Sequence, residues 1–296
     1  MMSIIHVCME YIHLPGGGSA ASMGALSEPG FGQRKNIRMS EKRVALVTAG
    51  ASGIGRAIAE CLLADGASVH VCDLDEAALA ACREELADVT TSCCDVADAS
   101  QVEGLFADIR QHYDRLDILV NNVGIAGPTA AVEDIAPEDW DRTIAVDLNS
   151  AFYVTRLAVP LLKQSRGSIV NMASNAALFG FPLRSAYSAA KWGLIGLTKT
   201  WAMELGPDGV NVNALCPGSV NGPRIENVIN KDAAERGVSP DEIRDVYQRQ
   251  SSMRLFVEAS DIAETVRFLC SSAGHSISGQ AMGIDGHTEG LSNWLD

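Results

Sequence analysis

From residue 44 the chain reads Val44-Ala45-Leu46-Val47-Thr48-Ala49-Gly50-Ala51-Ser52-Gly53-Ile54-Gly55. The first five residues are apolar or β-branched and predict a short buried strand. The glycines predict a tight turn, and the Ala- and Leu-rich sequence after them predicts a helix that ends near Leu63. Backbone N–H groups at the start of a helix point outward with the positive end of its dipole and bind phosphate groups. The stretch therefore predicts a strand-turn-helix unit for a diphosphate-bearing ligand, although glycine turns alone are a weak signal.

Apolar strands and helices alternate from this stretch to the C-terminal region. The pattern predicts further strands at 68–72, near 94–96, and at 116–120, 168–172, 210–215 and 282–284, with helices at 76–86, 99–113, 137–159, 187–205 and 260–269. Such alternation is typical of a single doubly wound parallel α/β sheet, Rossmann-like, with helices on both faces. Ligands of these sheets bind where the strands end. The residues at or just past those ends are Gly55, Asp73, Asp95, Asn121, Ser174 and Pro217.

Composition excludes several classes of function. The formal charge of −14 disfavours nucleic acid and anionic membranes as partners, since both select basic surfaces. The eight cysteines lie mostly in apolar helix or strand patterns and show no metal-ligand spacing, so we expect no metal site and a reducing cytoplasmic location. No secretory signal or membrane span is predicted.

Residues 1–40 differ from the rest because they are rich in Pro and Gly and show no periodicity. We expect a disordered N-terminal extension there, and one dinucleotide-binding domain over 41–296. Within that domain the charged region 219–256 is long enough to form a lid over the substrate.

The second predicted strand ends in Asp73, twenty residues beyond Gly53. An acid at this place accepts hydrogen bonds from the adenosine ribose and repels a 2′-phosphate. Helix capping is the alternative role, but Asp75 is better placed for it. Arg56 is the one nearby cation and is expected on the outer face of its helix. The sequence therefore favours NAD over NADP.

Tyr187 and Lys191 lie four residues apart in a segment with helical spacing, so their side chains leave the same face. A phenol titrates near pKa ~10, and a fixed cation beside it favours the phenolate, which makes it a usable acid or base. The alternative is a packed tyrosine and a surface lysine that share a helix by accident.

Together these motifs resemble the short-chain dehydrogenase/reductase family over roughly residues 42–288. Thr48–Gly55 is similar to its cofactor loop, Asp95-Val96 to its adenine contact, Asn121–Gly124 to its Asn-Asn-Ala-Gly signature and Pro217-Gly218 to its element beside the nicotinamide. The resemblance implies four catalytic residues, Asn149, Ser174, Tyr187 and Lys191. It implies cofactor contacts from Gly50, Ser52, Gly53, Ile54, Gly55, Asp73, Asp95, Val96, Asn122, Gly124, Tyr187, Lys191, Pro217, Gly218 and Val220.

Two features depart from the family pattern. Ala49 stands at the first glycine position, so a slightly reshaped turn is expected. After Pro217-Gly218 the chain has Ser219-Val220 where the family often has a threonine, and that cofactor contact is unassigned.

The resemblance implies reversible hydride transfer between NAD and a secondary alcohol or ketone. In this interpretation Tyr187 takes the hydroxyl proton, Lys191 favours its phenolate, Ser174 binds the substrate oxygen and Asn149 holds a water. The substrate is expected to be small and polar or polyol-like, with Asn175, Arg184 and Arg224 as candidate contacts, although the arginines could equally be surface charges. Alternatives are an NADPH-dependent 3-oxoacyl-thioester reductase and a non-catalytic NAD sensor. The family usually forms homodimers or homotetramers.

Overall fold

The structure is a computed structural model that describes residues 42–291. The extension expected over residues 1–40 lies outside the described residues. The fold class predicted from the sequence is confirmed, because the described chain contains a seven-stranded parallel sheet with helices packed on both faces.

The seven strands have the order β3-β2-β1-β4-β5-β6-β7, and every neighbouring pair is parallel. Their bounds are β1 Val44–Thr48, β2 Ser68–Asp73, β3 Val89–Cys93, β4 Ile118–Asn121, β5 Ser168–Met172, β6 Asn211–Pro217 and β7 Ala281–Ile284. The chain leaves β1 toward β2 on one side and returns to place β4 on the other. This change of direction opens a crevice past the carboxyl ends of β1 and β4, where doubly wound sheets bind their ligands.

Nine α-helices follow in chain order within the described residues. Their bounds are α1 Gly53–Ala64, α2 Glu76–Glu85, α3 Ala99–His112, α4 Pro137–Ile144, α5 Ser150–Ser165, α6 Ser185–Leu205, α7 Pro223–Arg236, α8 Pro240–Arg249 and α9 Ala259–Leu269. Helices α1, α2 and α9 pack on one face of the sheet, and α3, α5 and α6 pack on the other. Strands β1, β4 and β5 are therefore buried on both sides, which explains their continuous apolar runs.

The single helix predicted over 137–159 is interrupted in the structure. A π-helical segment, Ala145–Asn149, separates α4 from α5. Sequence periodicity does not register such a segment because it adds one residue to a turn without breaking the apolar face. Single π turns inside helices are frequent at functional sites.

The charged region predicted as a lid over 219–256 contains α7 and α8. The two helices share a small apolar cluster of their own, formed by Ile225, Ile229, Ala233, Ile243, Tyr247 and Phe256. Because it has this apolar cluster of its own, the segment is a structured part of the fold rather than an open loop.

Three general features of the described residues bear on function. No helix among them is long and apolar enough to cross a membrane. The seven cysteines within residues 42–291 are all free thiols. No cluster of metal-ligating side chains occurs in the same range.

Candidate active site

The glycine loop after β1 is held by the end of β4. The Asn122 side-chain amide donates to the carbonyl oxygens of Thr48 and Ala49, both at 3.1 Å, and the Thr48 hydroxyl accepts the N–H of Asn122 at 2.9 Å. A Cβ on Gly55 would lie 2.2 Å from the Ala49 carbonyl oxygen, so only glycine fits there. Asn122 and Gly55 therefore fix the shape of the loop together at the Ala49 carbonyl.

Ala49 adopts a left-handed backbone conformation with φ 47°. Such a conformation costs about 1–2 kcal/mol for a residue with a Cβ. The alanine at the family's first glycine position is thus accommodated at the expense of backbone strain.

Asp73 ends β2 beside this loop. Its carboxylate accepts the N–H of Ala51 and the N–H of Asp75, both at 3.2 Å, and it stays partly exposed. Asp75, as expected, caps α2 by accepting the N–H groups of Ala77 and Ala78. Asp73 is therefore left at the crevice with its carboxylate oriented by the loop.

Arg56 is engaged by two carboxylates. Its guanidinium pairs with Glu60 at 2.7 Å and with Glu85 at 3.0 Å on the outer side of α1. The cation that follows the glycine loop is thus committed to other groups.

The remaining cofactor candidates line the same edge of the sheet. Asp95 accepts the N–H of Ala97, and Val96 is buried after β3. Pro217 ends β6, Gly218 lies against Asp285, and Val220 forms a bridge with Val257 just before α7 and after α8 respectively.

Lys191 is buried in α6, with 4% of its side chain exposed. Its ammonium donates to the Met172 carbonyl oxygen at 3.1 Å and lies 5.6 Å from the centre of the Tyr187 ring. The structure therefore brings the tyrosine and the lysine together, and the lysine is not a surface residue.

Ser174 follows β5 two residues after Met172. Its hydroxyl oxygen accepts the N–H of Ala176 at 3.2 Å, and its hydroxyl donates to the Asn175 side-chain oxygen at 3.3 Å. The Asn175 amide in turn donates to Thr288 at 3.4 Å, which links this strand end to the C-terminal segment. Ser174 is placed at the strand end against which Lys191 is anchored.

Asn149 is the predicted catalytic residue that the structure does not bring to Lys191. No hydrogen bond joins its side chain to Ser174, Tyr187 or Lys191 in the described structure. Asp147 lies there instead, with its carboxylate 3.7 Å from the Lys191 ammonium. Residues two apart on a helix point to opposite sides, so Asn149 cannot share the position of Asp147.

Helical spacing in the sequence could have identified Asp147 as the inward-facing residue. Thr143 and Ala151, four residues before and after it, are buried, whereas Phe152, three residues after Asn149, is 47% exposed. The assignment from the family motif chose the asparagine in Val146-Asp147-Leu148-Asn149 over the residue in phase with the core.

Arg184 and Arg224 both approach the site. The Arg184 guanidinium lies over the rings of Phe181 and Tyr187, at 5.5 and 5.7 Å, and donates to the Thr129 hydroxyl at 2.6 Å. Burial lowers the pKa of Arg184, and its Nε has no hydrogen-bond partner in the described structure. Arg224, at the start of α7, donates to the Gly124 carbonyl oxygen at 3.4 Å.

The glycine loop and its neighbours at the carboxyl edge of the sheet fit a dinucleotide. The tight loop, the α1 start without acidic side chains in its first turn and the ribose-type acid at the end of β2 are the parts that such a ligand requires. The loop leads directly to the crevice that holds Tyr187 and Lys191.

A family model described as Enoyl-(Acyl carrier protein) reductase matches residues 48–288 of the chain. The chain belongs to the short-chain dehydrogenase/reductase family. It is accordingly an NAD(P)-dependent oxidoreductase that acts on hydroxyl or keto groups, as the resemblance implied.

Individual relatives of this short-chain dehydrogenase differ in substrate and cofactor. The D-beta-hydroxybutyrate dehydrogenase of Cupriavidus necator is 36% identical over 84% of this chain and 98% of its own length. The NAD⁺-bound structure of a xylitol dehydrogenase has a TM-score of 0.77 at 28% identity and covers 82% of this chain and 97% of that one. An actinorhodin polyketide ketoreductase with NADPH has a TM-score of 0.78 at 33% identity, with coverages of 86% and 98%.

Proposed function

We propose that this protein is an NAD-dependent dehydrogenase that reversibly oxidises the secondary alcohol of a small polar substrate. The observation that carries the proposal is the buried Lys191 ammonium, held by the Met172 carbonyl beside the Tyr187 ring at the open end of a dinucleotide crevice. A lysine buried to this degree has a function or a partner that compensates its desolvation.

The chemistry divides among three side chains. When bound, the nicotinamide cofactor supplies the redox chemistry of the reaction. Tyr187, as phenolate, takes the proton of the substrate hydroxyl, and the fixed charge of Lys191 favours that phenolate. Ser174 donates its hydroxyl to the substrate oxygen, where negative charge develops. Its 3.3 Å bond to Asn175 is long enough to be exchanged for the substrate.

The preference for NAD rests on Asp73 and Arg56. A 2′-phosphate would meet the Asp73 carboxylate, whose position is fixed by the loop N–H of Ala51. Arg56 is paired with Glu60 and Glu85 and offers no free charge to such a phosphate.

The proposed class of substrate rests on Arg184 and Arg224, and on Asn175 next to Ser174. Arg184 lies against the Tyr187 ring and keeps an unpartnered Nε, so it is suited to a carboxylate or a polyol oxygen. The hydroxybutyrate dehydrogenase and the xylitol dehydrogenase act, by name, on these two kinds of substrate.

Two other functions are weighed against this one. The NADPH-bound ketoreductase favours an NADPH-dependent 3-oxoacyl-thioester reductase, which would want a cation in place of Asp73 and a basic surface for an acidic carrier protein. The net charge of −14 speaks against that surface. A non-catalytic NAD sensor would have no need of a buried lysine beside a tyrosine.

Initial rates with NAD⁺ and NADP⁺ test the proposal. The panel consists of 3-hydroxybutyrate, xylitol, and the pair trans-4-hydroxycyclohexanecarboxylate and cyclohexanol, which differ by one carboxylate. We expect turnover with NAD⁺, and we expect the Arg184→Ala variant to lose the preference for the carboxylate member of the pair. Faster rates with NADP⁺ than with NAD⁺ would support the reductase instead.

Tyr187→Phe is the decisive variant. It keeps the ring against Lys191 and Arg184 but removes the proton-transferring oxygen. We expect NAD binding to persist and turnover to fall about 10²–10⁴-fold. Near wild-type turnover in this variant would refute the mechanism.

A cytoplasmic location and a homodimer or homotetramer complete the proposal. Large apolar side chains are exposed on α5 and α6, with Phe152 at 47%, Trp192 at 51% and Met203 at 81%. Exposed apolar surface of this kind supports an interface between copies of the chain.

A further inference from the structure

The carboxylate of Asp147 is enclosed in the protein next to the Lys191 ammonium. Its side chain is 0% exposed, and it lies in the π-helical segment between α4 and α5. Oδ1 accepts the N–H of Ile125 at 2.7 Å, whereas Oδ2 is 3.7 Å from the Lys191 Nζ and has no hydrogen-bond partner in the described structure. A buried acid with one unpartnered oxygen is costly, and such groups need a reason to be retained.

The residues around it keep this space for charged groups. A Cβ on Gly124 would lie 3.0 Å from the Lys191 Nζ and 3.6 Å from the Asp147 Oδ2. Gly124 therefore leaves room for the ammonium and the carboxylate to approach each other. The ion pair is built into the junction of β4, the π-helical segment and α6.

Lys191, the Ile125 N–H, Arg224 and Arg184 all interact electrostatically with the Asp147 carboxylate. Burial raises the pKa of Asp147, while Lys191, the Ile125 N–H and Arg224 act to lower it. Arg184 interacts electrostatically with both Asp147 and Tyr187. Lys191 is thus shared between a carboxylate on one side and the Tyr187 ring on the other.

We propose that Asp147 is a positioning residue that draws part of the Lys191 charge away from Tyr187 and thereby sets the pH above which the tyrosine acts as a base. A carboxylate beside the ammonium weakens the field that favours the phenolate. The proposal rests on the proposed role of Tyr187 as the base. It adds that the Asp147 carboxylate controls the pH at which Tyr187 acts.

Asp147→Asn tests it with little change of shape. The amide oxygen keeps the bond from the Ile125 N–H, the negative charge is lost, and an NH2 group of the same size replaces Oδ2 beside the ammonium. We expect the acid limb of the pH profile of kcat/KM for alcohol oxidation to move down by about one pH unit. The Asp141→Asn variant, which removes the same charge from an exposed position on α4, should leave the limb in place.

A second readout needs no turnover. Tyrosinate absorbance is followed against pH in the protein without cofactor, and the Tyr187→Phe difference assigns the signal. In Asp147→Asn that signal should appear at lower pH than in the wild type. This titration separates the two proposals, because an inactive wild type would sink the proposed function yet leave the absorbance shift measurable.

The proposal is overturned by any of three results. One is a wild-type pH limb and absorbance titration in a folded Asp147→Asn protein, and another is a shift to higher pH. The third is failure of both Asp147→Asn and Asp147→Ser to fold, since Asp147 would then be purely structural.

Discussion

Two clusters of polar side chains lie on the same sheet and differ in how completely they are hydrogen-bonded. The first, the His70 network, lies where β2 and β3 meet α3 and consists of His70, Thr90, Ser92, Asp108 and Tyr113. The second, the Lys191 cluster, consists of Asp147, Lys191, Tyr187 and Ser174 at the carboxyl edge. Comparing them separates side chains that stabilise the fold from side chains that the proposed reaction uses.

Every polar atom of the His70 ring has a partner. Nδ1 lies 2.9 Å from the Thr90 hydroxyl and Nε2 lies 3.0 Å from the Ser92 hydroxyl, which donates to Asp108 at 3.2 Å. Burial lowers the pKa of His70 to about 4, so the ring is neutral at physiological pH. His70 is thus a neutral ring with both nitrogens hydrogen-bonded, as in polar networks that make a fold specific.

The Lys191 cluster has the opposite character. It buries an ammonium and a carboxylate that are 3.7 Å apart, and it leaves the Asp147 Oδ2 without a hydrogen bond. Nearby, the loop that serves it contains Ala49 at φ 47°. Buried polar atoms without a hydrogen bond, and backbone strain, are typical of functional sites, and both occur at this edge of the sheet.

Replacing Lys191 gives the largest expected contrast. Lys191→Met removes the ammonium and leaves the Asp147 carboxylate buried alone, so we expect a loss of about 3–5 kcal/mol in the free energy of unfolding at neutral pH and no measurable turnover. The loss of stability should shrink as the pH falls, because a protonated Asp147 needs no partner.

Lys163→Met is the matched control for that measurement. Lys163 pairs with Asp208 at 2.7 Å, but both side chains are 42% exposed. Denaturant titration should show a change below about 1 kcal/mol. Equal losses in the two lysine variants would remove the energetic distinction between the buried cluster and the surface.

Unfolding at acid pH tests the His70 network. Because the pKa of His70 is near 4 in the folded protein and near 6.5 in an unfolded chain, the unfolded state binds more protons between these values. The stability that His70 contributes is complete above about pH 6.5 and is lost as the pH falls toward 4, by about 3 kcal/mol in total.

The measurement is the free energy of unfolding between pH 6.5 and 5 in wild type and His70→Gln. We expect the slope to be shallower in the variant, whereas His275→Gln, at an exposed histidine, should keep the wild-type slope. An unchanged slope in His70→Gln would show that the ring is not held neutral by the fold.

The smallest effect is expected at Ala49. Glycine adopts φ 47° without steric cost, although it also gains freedom in the unfolded chain. The two terms oppose each other, so Ala49→Gly should raise the free energy of unfolding by about 0.5 kcal/mol, measured by denaturant titration. A clear loss of stability would mean that the methyl group makes contacts that outweigh the strain.

Much of the fold was readable because it depends on local periodicity. The strand predicted at 44–48 matches β1, and that at 168–172 matches β5, since both are continuous apolar runs bounded by turn residues. The helical structure of residues 219–256 was not foreseen, because α7 and α8 are highly charged and bury their apolar residues mainly against each other.

The site was only partly readable. Four-residue spacing placed Tyr187 and Lys191 on one helix face, and the structure holds them together. The choice of Asn149 over Asp147 followed a motif instead of helical phase. Whether NAD is the cofactor and which alcohol is oxidised stay predictions.

The sequence by itself determined the alternation of strands and helices, the glycine loop and the family, because these follow from residue types at short, regular spacings. Only the tertiary structure decided that Asp147 faces Lys191 and that Arg184 reaches the Thr129 hydroxyl. Those contacts join residues far apart in the chain. Local sequence patterns do not specify the distances between such groups, whereas the packing of α6 against β5 and the π-helical segment does.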